Sequence, residues 1–164
     1  MQLSEVLAQN MAYDLFLQTL YQSDFPVIST SAALNRNYLF LDTRTLKEFN
    51  TSHIENARYV GYRKSNLEHI QDVPKDTSII VYCSIGIRSQ EIDKRLKQAG
   101  YTDVYNLYGG IYQWVNDGLP VFNDCGKTNE VHAYSRNWGI WLQKGDKIYE
   151  YGYPDGFFKA FCYR

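Results

Sequence analysis

A chain of 164 residues with 17 basic and 18 acidic side chains, formally −1 at pH 7, can bury one core, and its charge balance gives no reason to expect a nucleic-acid or membrane partner. Its three cysteines, odd in number and irregularly spaced, suit neither a disulfide framework nor a zinc site, and they point to a reducing cytoplasm. The N-terminus has neither a basic n-region nor an apolar run fit for a signal peptide, and no stretch approaches a membrane span.

In chain order, residues 1–24 carry Leu3, Val6, Leu7 and Met11, then Leu15, Phe16, Leu17 and Leu20. This untidy helical pattern starts behind Ser4 as its N-cap and is expected to pack on the central domain. Residues 25–122 alternate short apolar strands with helical stretches. The strands are expected at Val27-Ile28, at 38–41, near Val60, at 79–82 and at 104–107. That alternation predicts an α/β fold, a central parallel sheet with helices on both faces. Residues 123–164 form an aromatic extension that includes Tyr134, Trp138, Trp141, Tyr149, Tyr151, Tyr153, Phe157 and Phe158. Residues 140–143 and 147–151 read as a β-hairpin turning at Gly145, and Tyr153-Pro154-Asp155-Gly156 as a second turn before a strand at 157–163. The extension is expected to cap the domain, with a protein-binding or homodimer surface as the competing use. Its lysines are too few and too diluted for a nucleic-acid stacking platform.

The chemistry concentrates at Cys83. It ends the apolar run Ile79-Ile80-Val81-Tyr82 and opens the loop Cys83-Ser84-Ile85-Gly86-Ile87-Arg88-Ser89. From Ser89 the period changes, with Ile92, Leu96 and Ala99 at helical spacing and Gly100 where a C-cap belongs. A loop that passes from a strand end into a helix N-terminus can aim several free N–H groups into one concavity. The helix dipole and Arg88 add positive charge there, a setting that favours a thiolate. A cysteine at a strand end is ordinarily a small buried residue. The company of Gly86, Arg88 and a helix start tips Cys83 toward a nucleophile.

This loop resembles the active-site loop of rhodanese-like sulfurtransferases. Two flanking segments match too: Leu39-Phe40-Leu41-Asp42-Thr43-Arg44 with Glu48-Phe49 and His53-Ile54-Glu55-Asn56-Ala57 upstream, and Gly109-Gly110, Trp114 and Gly118-Leu119-Pro120 downstream. Ser52, Glu55 and Asn56 stand where that family usually has Gly, Pro and Gly. The resemblance implies a sulfurtransferase that moves sulfane sulfur from thiosulfate or a persulfide to a thiophilic acceptor through a Cys83 persulfide, without metal or cofactor. Ser84, Ile85, Gly86, Ile87, Arg88 and Ser89 would bind the substrate, and Asp42 and Arg44 would form a supporting ion pair. The partners implied are a small sulfur-containing anion and a protein or low-molecular-weight thiol.

Two competing readings use the same residues. One is a sulfur-relay or protein-interaction module with little free turnover. The other is a phosphatase or arsenate reductase, disfavoured because four residues rather than five separate Cys83 from Arg88. Among the remaining candidates, His53 reads as a turn residue. His69 and His132 share no metal-ligand spacing, Cys125 and Cys162 read as passive, and Gly109-Gly110 reads as a tight turn before a helix. Tyr62 and Arg63, with Ile85 or Ile87, are the candidates for the pocket mouth. The two isoleucines suggest a less polar rim than thiosulfate would favour.

Overall fold

The computed structural model describes residues 3–22, 25–62 and 67–149. In order these form α1 (Leu3–Leu20), β1 (Val27–Ile28), α2 (Thr30–Ala33), β2 (Leu39–Asp42), α3 (Leu46–Thr51), β3 (Arg58–Tyr59), a 3₁₀ turn at Leu67–Ile70, β4 (Ile79–Tyr82), α4 (Arg88–Gln98) and β5 (Val104–Leu107). They continue as α5 (Gly110–Asn116), β6 (Val121–Asn123), β7 (Gly126–Thr128), β8 (Glu130–His132), α6 (Arg136–Gly139) and β9 (Asp146–Ile148). Among these residues no helix is long and apolar enough to cross a membrane.

The first five strands form a parallel sheet in the order β1-β5-β4-β2-β3. Central β4 explains why its sequence is apolar throughout, because successive side chains point to opposite faces and both faces are covered. Ile80 and Tyr82 enter one core with Tyr13 and Leu17 of α1 and Ile111 and Tyr112 of α5. Ile79 and Val81 enter a second core with Ile70 and with Ile92 and Leu96 of α4. All four β4 side chains are fully buried, each worth about 1.5–3 kcal/mol of hydrophobic stabilisation. The expected α/β sheet with helices on both faces is therefore present.

Local signals set several boundaries. α4 ends as expected at Gly100: with φ of 92°, its N–H bonds to the Lys97 carbonyl while the Tyr101 N–H reaches Leu96, a Schellman ending. Thr45 caps α3 in a reciprocal capping box with Glu48. Asn56 takes φ of 59°. Asn is the residue after Gly best suited to that left-handed conformation, so the turn survives the exchange from the family's usual glycine.

Two expectations fail. The helix α1 already includes Ser4, so Ser4 is not its N-cap. The hairpin at 140–151 does not form: β9 instead pairs in parallel with β8. A parallel pair cannot be closed by a tight turn, and the intervening chain makes α6 and a turn that buries Leu142 completely. Trp141 in that turn stacks on Phe16 and Tyr13 of α1, with ring centroids 4.7 and 5.4 Å apart. A different hairpin joins β6 to β7, with Asn123 opposite Gly126. The expected turn at 153–156 and strand at 157–163 lie outside the described residues.

Candidate active site

The loop after β4 carries Cys83 at the carboxyl edge of the central strand, where ligands collect in parallel α/β sheets. Four consecutive carbonyls of this loop are held from behind. The Ile111 N–H donates to the Cys83 carbonyl and the Tyr112 N–H to that of Ser84, each at 3.0 Å. The Tyr21 hydroxyl donates to Ile85 at 2.9 Å and the Asn106 amide to Gly86 at 2.7 Å. Each trans peptide unit sets its N–H opposite the preceding carbonyl, so pinning these oxygens rearward turns the amides of residues 84–87 to the other side. On that side the Gly86 N–H donates to the Cys83 sulfur at 3.1 Å.

Two glycines allow this close assembly. Gly86 has φ of 87°, and a Cβ there would collide with the Tyr21 hydroxyl at 1.7 Å. At Gly110, with φ of 57°, a Cβ would lie 2.4 Å from the Cys83 carbonyl oxygen and 2.7 Å from that of Ser84. The Gly109-Gly110 pair is thus more than a tight turn: it lets the start of α5 dock directly on the cysteine loop.

Arg88 begins α4 beside the sulfur, and its guanidinium is already paired. It grips Glu48 at both carboxylate oxygens, 3.0 and 2.6 Å, and also donates to the Ser84 hydroxyl at 2.9 Å. The Glu48 carboxylate accepts three further bonds, from the Thr45 N–H, the Thr45 hydroxyl and the Ser84 hydroxyl. Burial alone would push the Glu48 carboxyl up, but Arg88, Arg44 and the Thr45 amide outweigh it and bring it down to about 2. Burial likewise opposes the Arg88 charge, and Glu48 with the Cys83 sulfur more than offsets this, so Arg88 stays cationic. Its positive charge is thus balanced within the protein by Glu48.

Asp42 and Arg44 form a completely buried pair. The Arg44 Nη2 lies 2.7 Å from Asp42 and 2.6 Å from the Ser52 carbonyl, and the guanidinium sits 5.7 Å over the Tyr82 ring. The pair braces the end of β2 against β4. Ser89 bonds to Asn106 at 2.7 Å, linking the start of α4 to the residue that holds Gly86. His53 stacks on Phe49 at 4.1 Å and bonds to its carbonyl oxygen; where a turn was expected, its backbone pairs with Phe122 in an isolated antiparallel bridge.

Although Cys83 is only 1 % exposed, it borders a cavity of about 180 Å³ lined by Ser84, Ile85, Ile87, Arg88, Tyr134 and Trp138. Tyr62 instead packs on the second core, and Arg63 lies outside the described residues. Among those residues Cys83 is the free cysteine, whereas Cys125 is disulfide-bonded, a departure from the expectation drawn from the cysteine number and spacing, and so it offers no thiol to resolve an oxidised Cys83. Cys162 also lies outside the described residues.

Five contributors escaped the sequence reading as site residues: Glu48, Asn106, Tyr21, Tyr134 and Trp138. Two left a local trace. Thr45-Leu46-Lys47-Glu48 is a capping-box pattern, and Asn106 is an amide inside the otherwise apolar strand Val-Tyr-Asn-Leu, fully buried.

A family profile described as the rhodanese-like domain matches residues 30–117. A "Sulfurtransferase" of Allochromatium vinosum is 33 % identical over 98 residues, which cover 60 % of this chain and 91 % of the relative. The thiosulfate sulfurtransferase GlpE of Coxiella burnetii is 32 % identical over 79 residues, 48 % of this chain and 73 % of that one. The crystal structure of a rhodanese-related protein from Thermoplasma volcanium superposes with a TM-score of 0.52 at 26 % identity, covering 59 % of this chain and 97 % of that one. Cys83, its loop and Glu48 fall within the profile match, while Tyr21, Tyr134 and Trp138 fall outside it.

Proposed function

Since the chain belongs to the rhodanese-like domain family, and its relatives include sulfurtransferases, we propose that it moves sulfane sulfur through a persulfide on Cys83. The Cys83 thiolate attacks the outer sulfur of a donor, thiosulfate or a persulfide. The sulfur–sulfur bond of the donor breaks, sulfite or a thiolate leaves with the electron pair, and Cys83 keeps one extra sulfur that carries the negative charge. A thiol or cyanide then attacks that terminal sulfur and releases Cys83 as thiolate. Electrons balance at both steps without metal or cofactor.

One observation carries the reading: the Gly86 N–H donates to the Cys83 sulfur at 3.1 Å from a loop whose carbonyls at residues 83–86 are each held by a hydrogen bond. N–H donors fixed in advance around a growing negative charge lower the barrier without reorganising during the reaction. The Glu48–Arg88 pair orders the far end of this cradle, with Asp42 and Arg44 behind it. A cytoplasmic setting belongs to the same proposal, because a reducing milieu supplies thiol acceptors. A Cys125 disulfide that persists in protein isolated under alkylating quench would count against that setting.

The test is sulfur turnover. The full chain with thiosulfate or an organic persulfide, and cyanide as acceptor, is expected to form thiocyanate, and intact mass is expected to rise by one sulfur atom before cyanide is added. Cys83→Ser should abolish both. A chain that gains no sulfur from any donor would overturn the reading, and release of phosphate from a phosphomonoester would favour the phosphatase alternative.

A further inference from the structure

The cavity in front of Cys83 is closed by two residues from outside the family match. Tyr134 follows β8 and Trp138 lies in α6. Of the two, Trp138 is held by α1. Trp138 packs on Phe16 with centroids 6.0 Å apart, in the same cluster as the Trp141 stack on Phe16 and Tyr13. Tyr134 is half exposed and places its ring 5.5 Å from the Arg88 guanidinium. It does so from φ of 59°, a conformation that is an outlier for a bulky residue and costs about 1–3 kcal/mol. The Tyr134 N–H donates to the His132 ring at 3.1 Å, which helps to fix this backbone.

The polarity of the wall decides what fits. Ile85, Ile87, Tyr134 and Trp138 present hydrocarbon and ring faces. The polar members, Ser84 and Arg88, are engaged with Glu48. In the ion pairs adjoining the loop, two carboxylates, Asp42 and Glu48, cancel two guanidiniums, Arg44 and Arg88. Once Cys83 ionises, the charge around the sulfur is net negative. Thiosulfate would bring two further negative charges into this space with no uncommitted cation among the lining residues to receive them.

We propose that Tyr134 and Trp138 make this pocket selective for an organic sulfane-sulfur donor whose substituent is aromatic or a similarly bulky apolar group. This rests on the sulfurtransferase reading and names its substrate class. The donor presents its outer sulfur to Cys83 and its apolar group to the two rings. The Cys83 thiolate bonds to that outer sulfur, the donor's sulfur–sulfur bond breaks, and the organic fragment departs with the electron pair as thiolate or sulfinate. Cys83 is left as the persulfide anion, and no outside oxidant or reductant is consumed.

Benzenethiosulfonate, methanethiosulfonate and thiosulfate, each with cyanide as acceptor, separate the contributions of ring and charge. With the full chain, kcat/KM should favour the phenyl over the methyl donor by about tenfold or more, the scale of discrimination for a modest apolar group in a pocket, and thiosulfate should be the poorest. Trp138→Ala and Tyr134→Gly should each bring the phenyl-to-methyl ratio close to one. Tyr134→Gly also removes the strained conformation, so it keeps the test open if Trp138→Ala unfolds. Equal rates with all three donors, or variants that slow phenyl and methyl donors alike, would overturn the proposal. Sulfur loading of Cys83 without preference sinks this inference alone, whereas no loading from any donor sinks it together with the sulfurtransferase reading.

Discussion

The back of the Cys83 loop and its mouth are built by opposite means. Behind the loop the contacts are short polar bonds to backbone carbonyls, and glycines at Gly86 and Gly110 let main chain and side chain approach where any Cβ would collide. In front, the wall is made of ring and aliphatic faces, and one of its rings sits on a strained, non-glycine backbone at Tyr134. The back fixes the loop carbonyls and the Gly86 N–H, and under the proposed function would bear on whether sulfur transfer happens at all. On the proposed chemistry the mouth would meet only the part of the donor that does not react, and so would bear on which donor is used. Changes behind the loop should cut turnover for every donor, and changes in front should alter ratios between donors.

The harshest test of this division is Gly110→Ala. The new methyl would lie 2.4 Å from the Cys83 carbonyl oxygen on a backbone with φ of 57°, so the loop or the start of α5 must move. We expect about 3 kcal/mol or more of lost stability in chemical unfolding. Turnover should fall about a hundredfold or more with every donor, since a displacement of about 1 Å can have that effect.

Next in size is Glu48→Gln, which removes the carboxylate that both capping and Arg88 use. Breaking one partner of a buried pair typically costs about 3–5 kcal/mol, here softened because Arg88 is partly exposed. The variant should also change the acid response. The Glu48 carboxyl sits at about 2 in the fold against an ordinary 4.5. Its contribution to stability is therefore fully present above about pH 4.5 and drains away as pH falls toward about 2, since protonation favours the unfolded chain there. Unfolding free energy measured across that window should slope less in Glu48→Gln than in the parent. An equal slope in both would show that other carboxylates set the acid limit.

The unequal legibility of the two sides comes from how far apart their partners lie in the chain. β4, its loop and α4 are written in one continuous segment, as an apolar run, a glycine and a helical period, and they form where expected. Asp42 and Arg44 were expected as a pair because the resemblance to the rhodanese-like family implies one. Glu48 meets Arg88 across 40 positions, and Tyr21 meets Ile85 across 64, distances that no local pattern encodes. The mouth was hardest. Residues 140–143 look like a strand because a short apolar run carries no period, yet Ile140 is exposed and Trp141 is covered by Tyr13 and Phe16, which stack on it from far away at the start of the chain. The pairing of β8 with β9 is likewise non-local, and without it neither Tyr134 nor Trp138 could be set before Cys83.

Tyr21→Phe probes whether α1 belongs to the back of the site or only to the core. The hydroxyl donates to the Ile85 carbonyl and accepts from the Gly109 N–H, both at 2.9 Å. Burial, with the nearby Cys83 sulfur, pushes its ionisation far above the usual tyrosine value, so it is a neutral donor at any working pH. Losing it leaves a carbonyl and an amide unsatisfied, at a cost of about 1–3 kcal/mol. If Tyr21 is a positioning residue, kcat should drop severalfold with KM nearly constant, and the phenyl-to-methyl donor ratio should not move. A change in that ratio would mean that back and mouth are coupled.

The smallest expected effect has the opposite sign and contrasts the two backbones directly. Gly110 and Tyr134 both occupy the left-handed region, at φ of 57° and 59°. At Gly110 that conformation costs little, because glycine adopts it freely. At Tyr134 a bulky side chain is held in it. Tyr134→Gly relieves that cost, loses a half-exposed ring contact with Arg88 worth about 0.5–1 kcal/mol, and makes the unfolded chain more flexible by a similar amount. The terms nearly cancel, so thermal unfolding should hold steady or rise slightly. A clear fall in Tm would mean that Tyr134 is there to stabilise the fold. An unchanged or higher Tm, together with lost donor discrimination, would show strain kept at the mouth for the sake of the substrate.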